Sequence, residues 1–92
     1  MKVKIPTAFR VHTDGERDFE FATGDDTTVG DLFSAIVDRY PNLREQLLDD
    51  DGELLSFVNV FVNSENTRDL DGNQTRLQER DEVFLVPAMA GG

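Results

Sequence analysis

Apolar residues alternate with other positions at the start of the chain, which is the period of a β-strand. The side expected to face a core is formed by Val3, Ile5, Thr7 and Phe9. Pro6 lies within this run, and because proline lacks a backbone N–H it indicates an edge position or an irregularity. Asp14-Gly15 then predicts a hairpin turn. Residues 18–21 alternate charged and aromatic side chains and predict a second strand paired to the first.

The period then changes to that of a helix. Thr28 followed three residues later by Asp31 predicts a capping box at the helix start. Pro41 predicts the helix end, because the residue before a proline is pushed out of helical geometry. Between these signals an apolar face recurs at spacings of three and four residues, formed by Leu32, Phe33, Ile36, Val37 and Tyr40.

Three leucines, Leu43, Leu47 and Leu48, predict a short second helix or turn before an acidic run. Residues 49–52 read Asp-Asp-Asp-Gly, and a calcium loop would need several spaced oxygen ligands with a later acid in register. The run lacks that later acid, so we interpret it as a solvated acidic turn.

Two further strands are predicted in the second half of the chain. Residues 57–62 are β-branched and aromatic with period two, so one face carries Val58, Val60 and Val62. Residues 63–78 are polar and predict turns with one short strand. Residues 82–86 predict the last strand, which Pro87 is expected to end.

This order of elements predicts an α+β roll in which one main helix covers one face of a mixed sheet of four to five strands. The first and last strands, both rich in branched apolar residues, are expected side by side in its centre. Residues 1–87 are the expected domain. Residues 88–92, Ala-Met-Ala-Gly-Gly, are the expected flexible tail.

Composition narrows the classes of function. The 92 residues contain no cysteine, which excludes a disulfide, a thiolate nucleophile and a cysteine metal cage. His12 is the one histidine, so neither a histidine metal site nor a histidine triad is expected within one chain. The apolar content of 38% suffices for a single core, and we find no apolar stretch of signal or membrane-spanning length. We therefore expect a soluble, cytoplasmic protein without a bound metal.

The net charge is −10, from 19 acidic and nine basic residues. Such a chain is repelled by nucleic-acid phosphates and by anionic membranes, so neither is an expected partner. Complementary charge would favour a basic partner surface. An equally good interpretation is that the acidity serves solubility alone or reflects an acid-biased proteome.

The chain resembles the β-grasp (ubiquitin-like) sulfur carriers of the MoaD/ThiS type. Two segments carry the resemblance most specifically, residues 57–63 (Phe-Val-Asn-Val-Phe-Val-Asn) and residues 79–92, an acidic turn, an apolar strand, proline, small residues and Gly-Gly. Residues 5–10 and Ala88-Met89-Ala90 are most similar to the carriers of cysteine biosynthesis. The stretch 64–78 is longer than in the molybdopterin-synthase subunit.

The resemblance implies that the chain is a carrier and not an enzyme. The carboxylate of Gly92 would be adenylated with ATP by a ubiquitin-activating-type adenylyltransferase/sulfurtransferase, and then converted to a thiocarboxylate. The carrier itself would bind no cofactor. Its sulfur would pass to a synthase of cysteine, molybdopterin or thiamine biosynthesis, for example a PLP-dependent cysteine synthase. Gly91 and Gly92 would pass through the narrow channel of the activating enzyme, since glycine lacks the side chain that would clash there, and Ala90 belongs to the same tail.

A docking surface for such a partner can be predicted from strand alternation. If Val83 and Leu85 face the core, their neighbours face outward together with the alternate residues of the preceding strand. The expected apolar patch consists of Phe57, Phe61, Phe84 and Val86. The alternative is that some of these phenylalanines belong to the core. Nearby acids that could pair with a basic rim, or form an ordinary solvated turn, are Glu79, Asp81 and Glu82.

Two other functions stay open. In a ubiquitin-like modifier, the same activated Gly92 would be joined to lysines of other proteins. In a plain interaction domain the Gly91-Gly92 tail would be incidental, and deleting it would leave the activity intact.

Overall fold

The computed structural model describes residues 1–87, in which five strands form one mixed sheet in the order β2-β1-β5-β3-β4. β1 pairs antiparallel with β2 and parallel with β5, whereas β3 is antiparallel to both β5 and β4. The first and last strands therefore lie side by side in the middle of the sheet, as predicted. The strands are β1 (Lys2–Lys4), β2 (Asp18–Glu20), β3 (Val58–Val62), β4 (Glu65–Asn66) and β5 (Val83–Pro87).

Two α-helices and four short 3₁₀ helices connect the strands. The main helix is α1 (Val29–Arg39), and α2 (Arg44–Leu47) is a single turn. Within residues 1–87, we find no helix with both the length and the apolar character that a membrane crossing requires. The 3₁₀ helices are Thr7–His12, Pro41–Leu43, Thr67–Asp69 and Gly72–Gln74.

Helix α1 begins and ends where its sequence predicts. The backbone N–H of Thr28 donates to Asp31 Oδ2 at 2.9 Å, and the backbone N–H of Asp31 donates to Thr28 Oγ1 at 3.3 Å, which completes the capping box. The carboxylate of Asp31 also lies in the first turn, where the helix dipole favours negative charge. At the other end, Tyr40 donates its N–H to Ile36 O at 2.8 Å before Pro41 stops the helix.

The core lies between α1 and one face of the sheet. Strand residues at alternate positions turn inward, and none of Val3, Val58, Val60 or Val83 retains exposed surface. Burying each such side chain contributes about 1.5–3 kcal/mol. The helical side of the same core is formed by Val29, Leu32, Phe33, Ile36, Leu43 and Leu47.

The first strand is shorter than its alternation predicts. β1 ends at Lys4, and Thr7–His12 is a 3₁₀ helix in which Thr7 is exposed, so the prediction that Thr7 shares the inward side was wrong. Pro6, in an extended conformation at φ −69° and ψ 157°, forms the cap of that helix. Because proline has no N–H for a strand ladder, pairing stops there. Phe9 is nevertheless buried, at 5% exposure, since the helical turn folds it back onto the core.

The last strand runs one residue further than predicted. Pro87 belongs to β5 and lies opposite Val58, at the end of the β3–β5 ladder. A proline is tolerated at a strand end because few ladder bonds remain there for its missing N–H to interrupt.

The acidic run forms a turn. Asp49 Oδ1 accepts hydrogen bonds from the backbone N–H groups of Asp51 at 2.9 Å and Glu53 at 3.0 Å. Gly52 adopts a φ of 80°, which its missing side chain permits. Among the residues described, no cluster of histidine, cysteine or acidic side chains has the arrangement of a metal site.

The capping box provides a test of the fold. We expect Thr28→Ala to lower the free energy of unfolding by about 1 kcal/mol, because it removes the side-chain acceptor for an N–H of the first helical turn. Urea unfolding followed by circular dichroism measures the change. Ser34→Ala, an exposed position in the middle of α1, is the matched control and should leave the stability nearly unchanged. Equal effects of the two substitutions would contradict the role of the cap.

Candidate functional site

We call the face of the sheet turned away from α1 the open face. On β5, Val83 and Leu85 point into the core with 0% and 3% exposure, whereas Phe84 and Val86 point outward with 37% and 40%. This alternation follows from the pleat of a strand, since successive side chains lie on opposite faces. The sequence expectation for this strand is met residue by residue.

Strand β3 adds a second row to the open face. Phe61 lies directly opposite Phe84, and Asn59 lies opposite Val86. Phe57 precedes β3 in the same alternation and is 52% exposed. The structure therefore places three of the predicted residues on the neighbouring strands β3 and β5, and the fourth, Phe57, in the turn immediately before β3. We call Phe57, Phe61, Phe84 and Val86 the apolar patch.

The patch is held rigidly from below. The β3–β5 ladder runs over five residue pairs from Val58↔Pro87 to Val62↔Val83, and the inward residues of both strands are buried. Aromatic cross-strand pairs such as Phe61 and Phe84 also stabilise a sheet, by roughly 0.2–1 kcal/mol. The rings are therefore presented on a surface that is already ordered.

Charged residues border the patch on the β1 side. Lys4 neighbours Phe84 in the β1–β5 register, and its Nζ lies 3.1 Å from Asp18 Oδ1. Two residues earlier on β1, Lys2 lies opposite Glu20. Exposed pairs of this kind contribute at most about 1 kcal/mol to stability. Their effect here is to balance the charge of this half of the open face.

Two of the three acids near the patch make internal contacts. The carboxylate of Asp81 accepts from the backbone N–H of Gln78 at 2.8 Å and from Asn63 Nδ2 at 3.1 Å. Glu79 pairs with the α-ammonium of Met1 and accepts from Thr23 Oγ1 at 2.9 Å. These contacts give Asp81 and Glu79 structural roles that the sequence pattern does not reveal.

Asn63 joins the β3–β4 turn to the start of β5. It adopts a φ of 59°, a left-handed conformation that asparagine tolerates better than most residues. Its backbone N–H donates to Glu82 O at 2.7 Å, and its Oδ1 accepts from the N–H of Glu82 at 3.1 Å. These bonds fix where the last strand begins.

A polar cluster centred on Arg68 lies at the other edge of the patch. Arg68 Nη2 donates to the backbone carbonyls of Leu55 at 2.8 Å and Val58 at 2.5 Å, and its Nε donates to Asn59 Oδ1 at 3.3 Å. No sequence pattern marks this residue. Two of its acceptors are backbone carbonyls 13 and 10 positions away, which leave no signal in a residue pattern.

The predicted reactive residues, Gly92 with Gly91 and Ala90, lie outside the described residues. The structure does show where the chain leaves the sheet, at Pro87 opposite Val58 and so beside Phe57. Any chain of five residues spans at most about 17 Å. The carboxyl end of the chain therefore starts from the same edge of the open face that carries the apolar patch.

A five-stranded mixed sheet with a helix packed on one face, and parallel first and last strands in its middle, defines a ubiquitin-like β-grasp protein. The sequence matches the ThiS family over residues 3–92. The chain belongs to that family, and both the β-grasp fold and the family resemblance predicted from its sequence are confirmed.

Three relatives illustrate the similarity. The sulfur carrier protein CysO of Mycobacterium tuberculosis is 39% identical over 92 residues, covering 98% of this chain and 96% of the relative. A solved structure of the Amycolatopsis orientalis BexX/CysO complex matches with a TM-score of 0.85 at 34% identity, covering 99% of this chain and 98% of the other. SAMP1 of Haloferax volcanii matches with a TM-score of 0.81 at 30% identity, covering 99% and 97%.

The contacts of Glu79 make stability depend on pH. The hydrogen bond to the Met1 α-ammonium, followed by the one from Thr23, holds the pKa of Glu79 below its ordinary value of 4.5. A depressed carboxyl pKa adds stability that is complete above pH 4.5 and is lost as the pH falls through the depressed value. We therefore expect Glu79→Gln to destabilise the 92-residue chain at neutral pH, with a difference that shrinks below pH 4.5.

Urea unfolding at a series of pH values measures this effect. Glu82→Gln, at an exposed position nearby, is the control and should parallel the wild type across the series. A Glu79→Gln curve that coincides with the wild-type curve would show that the pairing has no net effect on stability, and a constant offset at every pH would show that the ionisation of Glu79 does not contribute.

Proposed function

We propose that this protein is a sulfur carrier that bears its cargo as a thiocarboxylate on Gly92. The observation that carries the proposal is the full-length similarity to CysO, 39% identical over 98% of the chain. The family match runs through residue 92 and so includes Gly91 and Gly92. In this proposal residues 1–87 form the body that a partner recognises, and residues 88–92 form the segment that enters the partner's active site.

The chemistry needs an activation step because a carboxylate is a poor electrophile. One carboxylate oxygen of Gly92 would attack the α-phosphorus of ATP and displace pyrophosphate, giving an acyl adenylate. Sulfide would then attack the carbonyl carbon, so that a C–S bond forms while the C–O bond to AMP breaks. A ubiquitin-activating-type adenylyltransferase/sulfurtransferase would catalyse both steps and consume the ATP. The carrier takes part as a substrate and not as a catalyst, like the carriers and modifiers to which it is similar.

The apolar patch is the surface on which we propose that the activating partner docks. Phe84 and Val86 belong to β5, which residues 88–92 follow directly in the chain. A partner that binds β5 therefore also fixes the position from which those residues start. A relative, CysO, has been solved in a complex with BexX, so a protein of this fold forms a stable assembly with a partner. Clustered exposed aromatic side chains are typical of such surfaces.

We propose a class of sulfur acceptor from the similarity to CysO. Similarity to CysO favours a cysteine-forming synthase, for example of the PLP-dependent class, over a molybdopterin or thiamine synthase. The thiocarboxylate sulfur would displace a leaving group from an electrophilic carbon of the acceptor's substrate, giving a thioester. Water would later cleave the acyl C–S bond, returning the Gly92 carboxylate and leaving the sulfur on the product as a thiol.

Similarity to SAMP1 supports a second candidate function, that of a ubiquitin-like modifier. A ubiquitin-like modifier would use the same activated Gly92 but pass it to a protein amine in place of sulfide. The two lysines of this chain, Lys2 and Lys4, both lie on β1 within the open face. A partner covering that face would also cover them, which makes the chain a poor acceptor for its own modification.

The mass of the intact protein tests the carrier function. After incubation with the activating enzyme, ATP and sulfide, we expect a gain equal to the mass difference between sulfur and oxygen, and we expect thiol alkylation to label the product. The Gly91-Gly92 deletion should show neither change. Oxidation of Met1 or Met89 gives nearly the same gain in mass, so the alkylation step is essential.

Two outcomes would contradict the carrier proposal. Recovery of Gly92 in amide linkage to lysines of other proteins, without thiocarboxylate, would favour the modifier function. The positive control is CysO incubated with the activating enzyme of CysO. If that control forms thiocarboxylate while the present protein stays unaltered with its activating enzyme, activation at Gly92 is excluded.

The docking surface has its own test. We expect Phe84→Ala to raise the KM of the activating enzyme for the carrier about tenfold, because a ring lost from the centre of an interface typically costs more than 1 kcal/mol of binding. The kcat should change little, since the reacting carboxylate is untouched. Pyrophosphate exchange at varied carrier concentration measures both values.

Val11→Ala is the matched control for this substitution. Val11 is 80% exposed but lies in the 3₁₀ helix Thr7–His12, outside the sheet, so removing it tests the loss of any exposed apolar side chain. Its KM should match the wild type. A wild-type KM for Phe84→Ala would mean that the open face does not contact the activating enzyme.

A further inference from the structure

Phe57 is the most exposed member of the apolar patch, and it belongs to a turn. Residues 55–58 form a tight turn in which the N–H of Val58 donates to Leu55 O at 3.0 Å. Phe57 occupies the third position, 52% exposed, immediately before β3 begins. The other three members of the patch lie on strands, whose ladders hold them. The position of Phe57 therefore depends on what holds this turn.

Arg68 bonds both ends of that turn. Its Nη2 donates to Leu55 O at 2.8 Å and to Val58 O at 2.5 Å, so one nitrogen bridges the first and last carbonyls. Hydrogen bonds from a charged donor are about twice as strong as those between neutral groups. The guanidinium thus ties together the two residues that flank Ser56 and Phe57.

The guanidinium itself is held in place from the sheet. Arg68 Nε donates to Asn59 Oδ1 at 3.3 Å, and Asn66 Nδ2 donates to the same oxygen at 3.2 Å. The side chain of Asn66 in turn accepts from the backbone N–H of Arg68 at 3.0 Å. Thr67, between them in sequence, is buried at 2% exposure. Both the backbone N–H and the guanidinium of Arg68 are therefore held by hydrogen bonds.

We propose that Arg68 is a positioning residue that holds the turn 55–58 so that Phe57 stands ready in the docking surface. The inference rests on the proposed function, because it assigns Arg68 a role in presenting that same surface. A planar guanidinium donates in several fixed directions at once, which a lysine ammonium at the end of a flexible stem does not reproduce.

Holding Phe57 in place lowers the cost of docking. When a loop residue is ordered only on binding, the lost freedom is subtracted from the affinity. Without Arg68 the turn retains its single internal hydrogen bond, and Phe57 must be ordered by the partner. We therefore expect Arg68→Met to raise the KM for the carrier about threefold to tenfold, with kcat unchanged.

A double-mutant cycle separates positioning from direct contact with the partner. The four proteins are wild type, Phe57→Ala, Arg68→Met and the double variant, each compared for KM in pyrophosphate exchange. If Arg68 acts through Phe57, Arg68→Met should add almost nothing in the Phe57→Ala background. Full additivity would mean that Arg68 contacts the partner itself, and it would overturn the inference.

Two further variants sharpen the assay. Arg68→Lys keeps the charge without the fork and should behave like Arg68→Met. Arg76→Met removes an exposed arginine that pairs with Asp26 at 3.1 Å in the loop region before α1, and it should leave KM unchanged. Thermal unfolding of each variant shows whether the fold is retained.

A measurement on the free protein tests Arg68 without any partner. In ¹⁵N relaxation and amide exchange, Arg68→Met should increase the motion of Ser56 and Phe57 and speed exchange at Val58, while Val60 in the middle of β3 stays protected. An unchanged turn would overturn the inference even if docking occurs as proposed. Wild-type KM values for both Phe57→Ala and Phe84→Ala would instead overturn the docking surface, whatever the turn does.

Discussion

The parallel pairing of β1 with β5 is the constraint on which the rest of the structure depends. It places Val3 beside Val83, both fully buried, and it puts the last strand between two neighbours. A strand so placed has its hydrogen bonds made on both edges and cannot shift register without turning its apolar side chains outward. The point at which the chain leaves the sheet, after Pro87, is therefore fixed by the core. The burial and pairing that stabilise the domain therefore also hold the strand from which residues 88–92 continue.

One strand consequently serves two purposes. The inward residues of β5 build the core, and its outward residues, Phe84 and Val86, form half of the apolar patch. Leaving large apolar side chains exposed forgoes the gain of burying them, and their arrangement opposite Phe61 and Asn59 on β3 is what the docking proposal rests on. Because the proposed docking surface includes residues of β5, the strand from which residues 88–92 continue, recognition of the body would also fix where the segment that carries Gly92 begins. The proposed carrier function needs that coupling, since the reacting group lies outside the surface that is recognised.

The parts of this fold that depend on neighbouring residues were predictable. Each end of α1 follows from a local signal, the bonds between Thr28 and Asp31 at its start and Pro41 just after its end. Alternation along β3 and β5 separates the core residues from the patch residues once the inward side of each strand is known. The length of β1 was not predictable in the same way, because an alternating pattern does not show that a 3₁₀ helix takes over after Pro6. The contacts of Arg68 and Asn63 were not predictable either. They join segments 9–19 positions apart, and several of their partners are backbone groups that every residue carries.

The distribution of charge resolves an apparent conflict between the net charge of −10 and an apolar docking surface. The open-face positions of β1 and β2 carry Lys2, Lys4, Asp18 and Glu20, two positive and two negative charges that sum to zero. The corresponding positions of β3, β4 and β5 are uncharged, namely Asn59, Phe61, Asn66, Phe84 and Val86. The acidic excess therefore lies outside the strand positions of the open face. Of these four charges Lys4 and Asp18 form an ion pair, so a partner that buries this face covers no net charge of those strands. Net negative charge outside those positions opposes association between copies of the same chain.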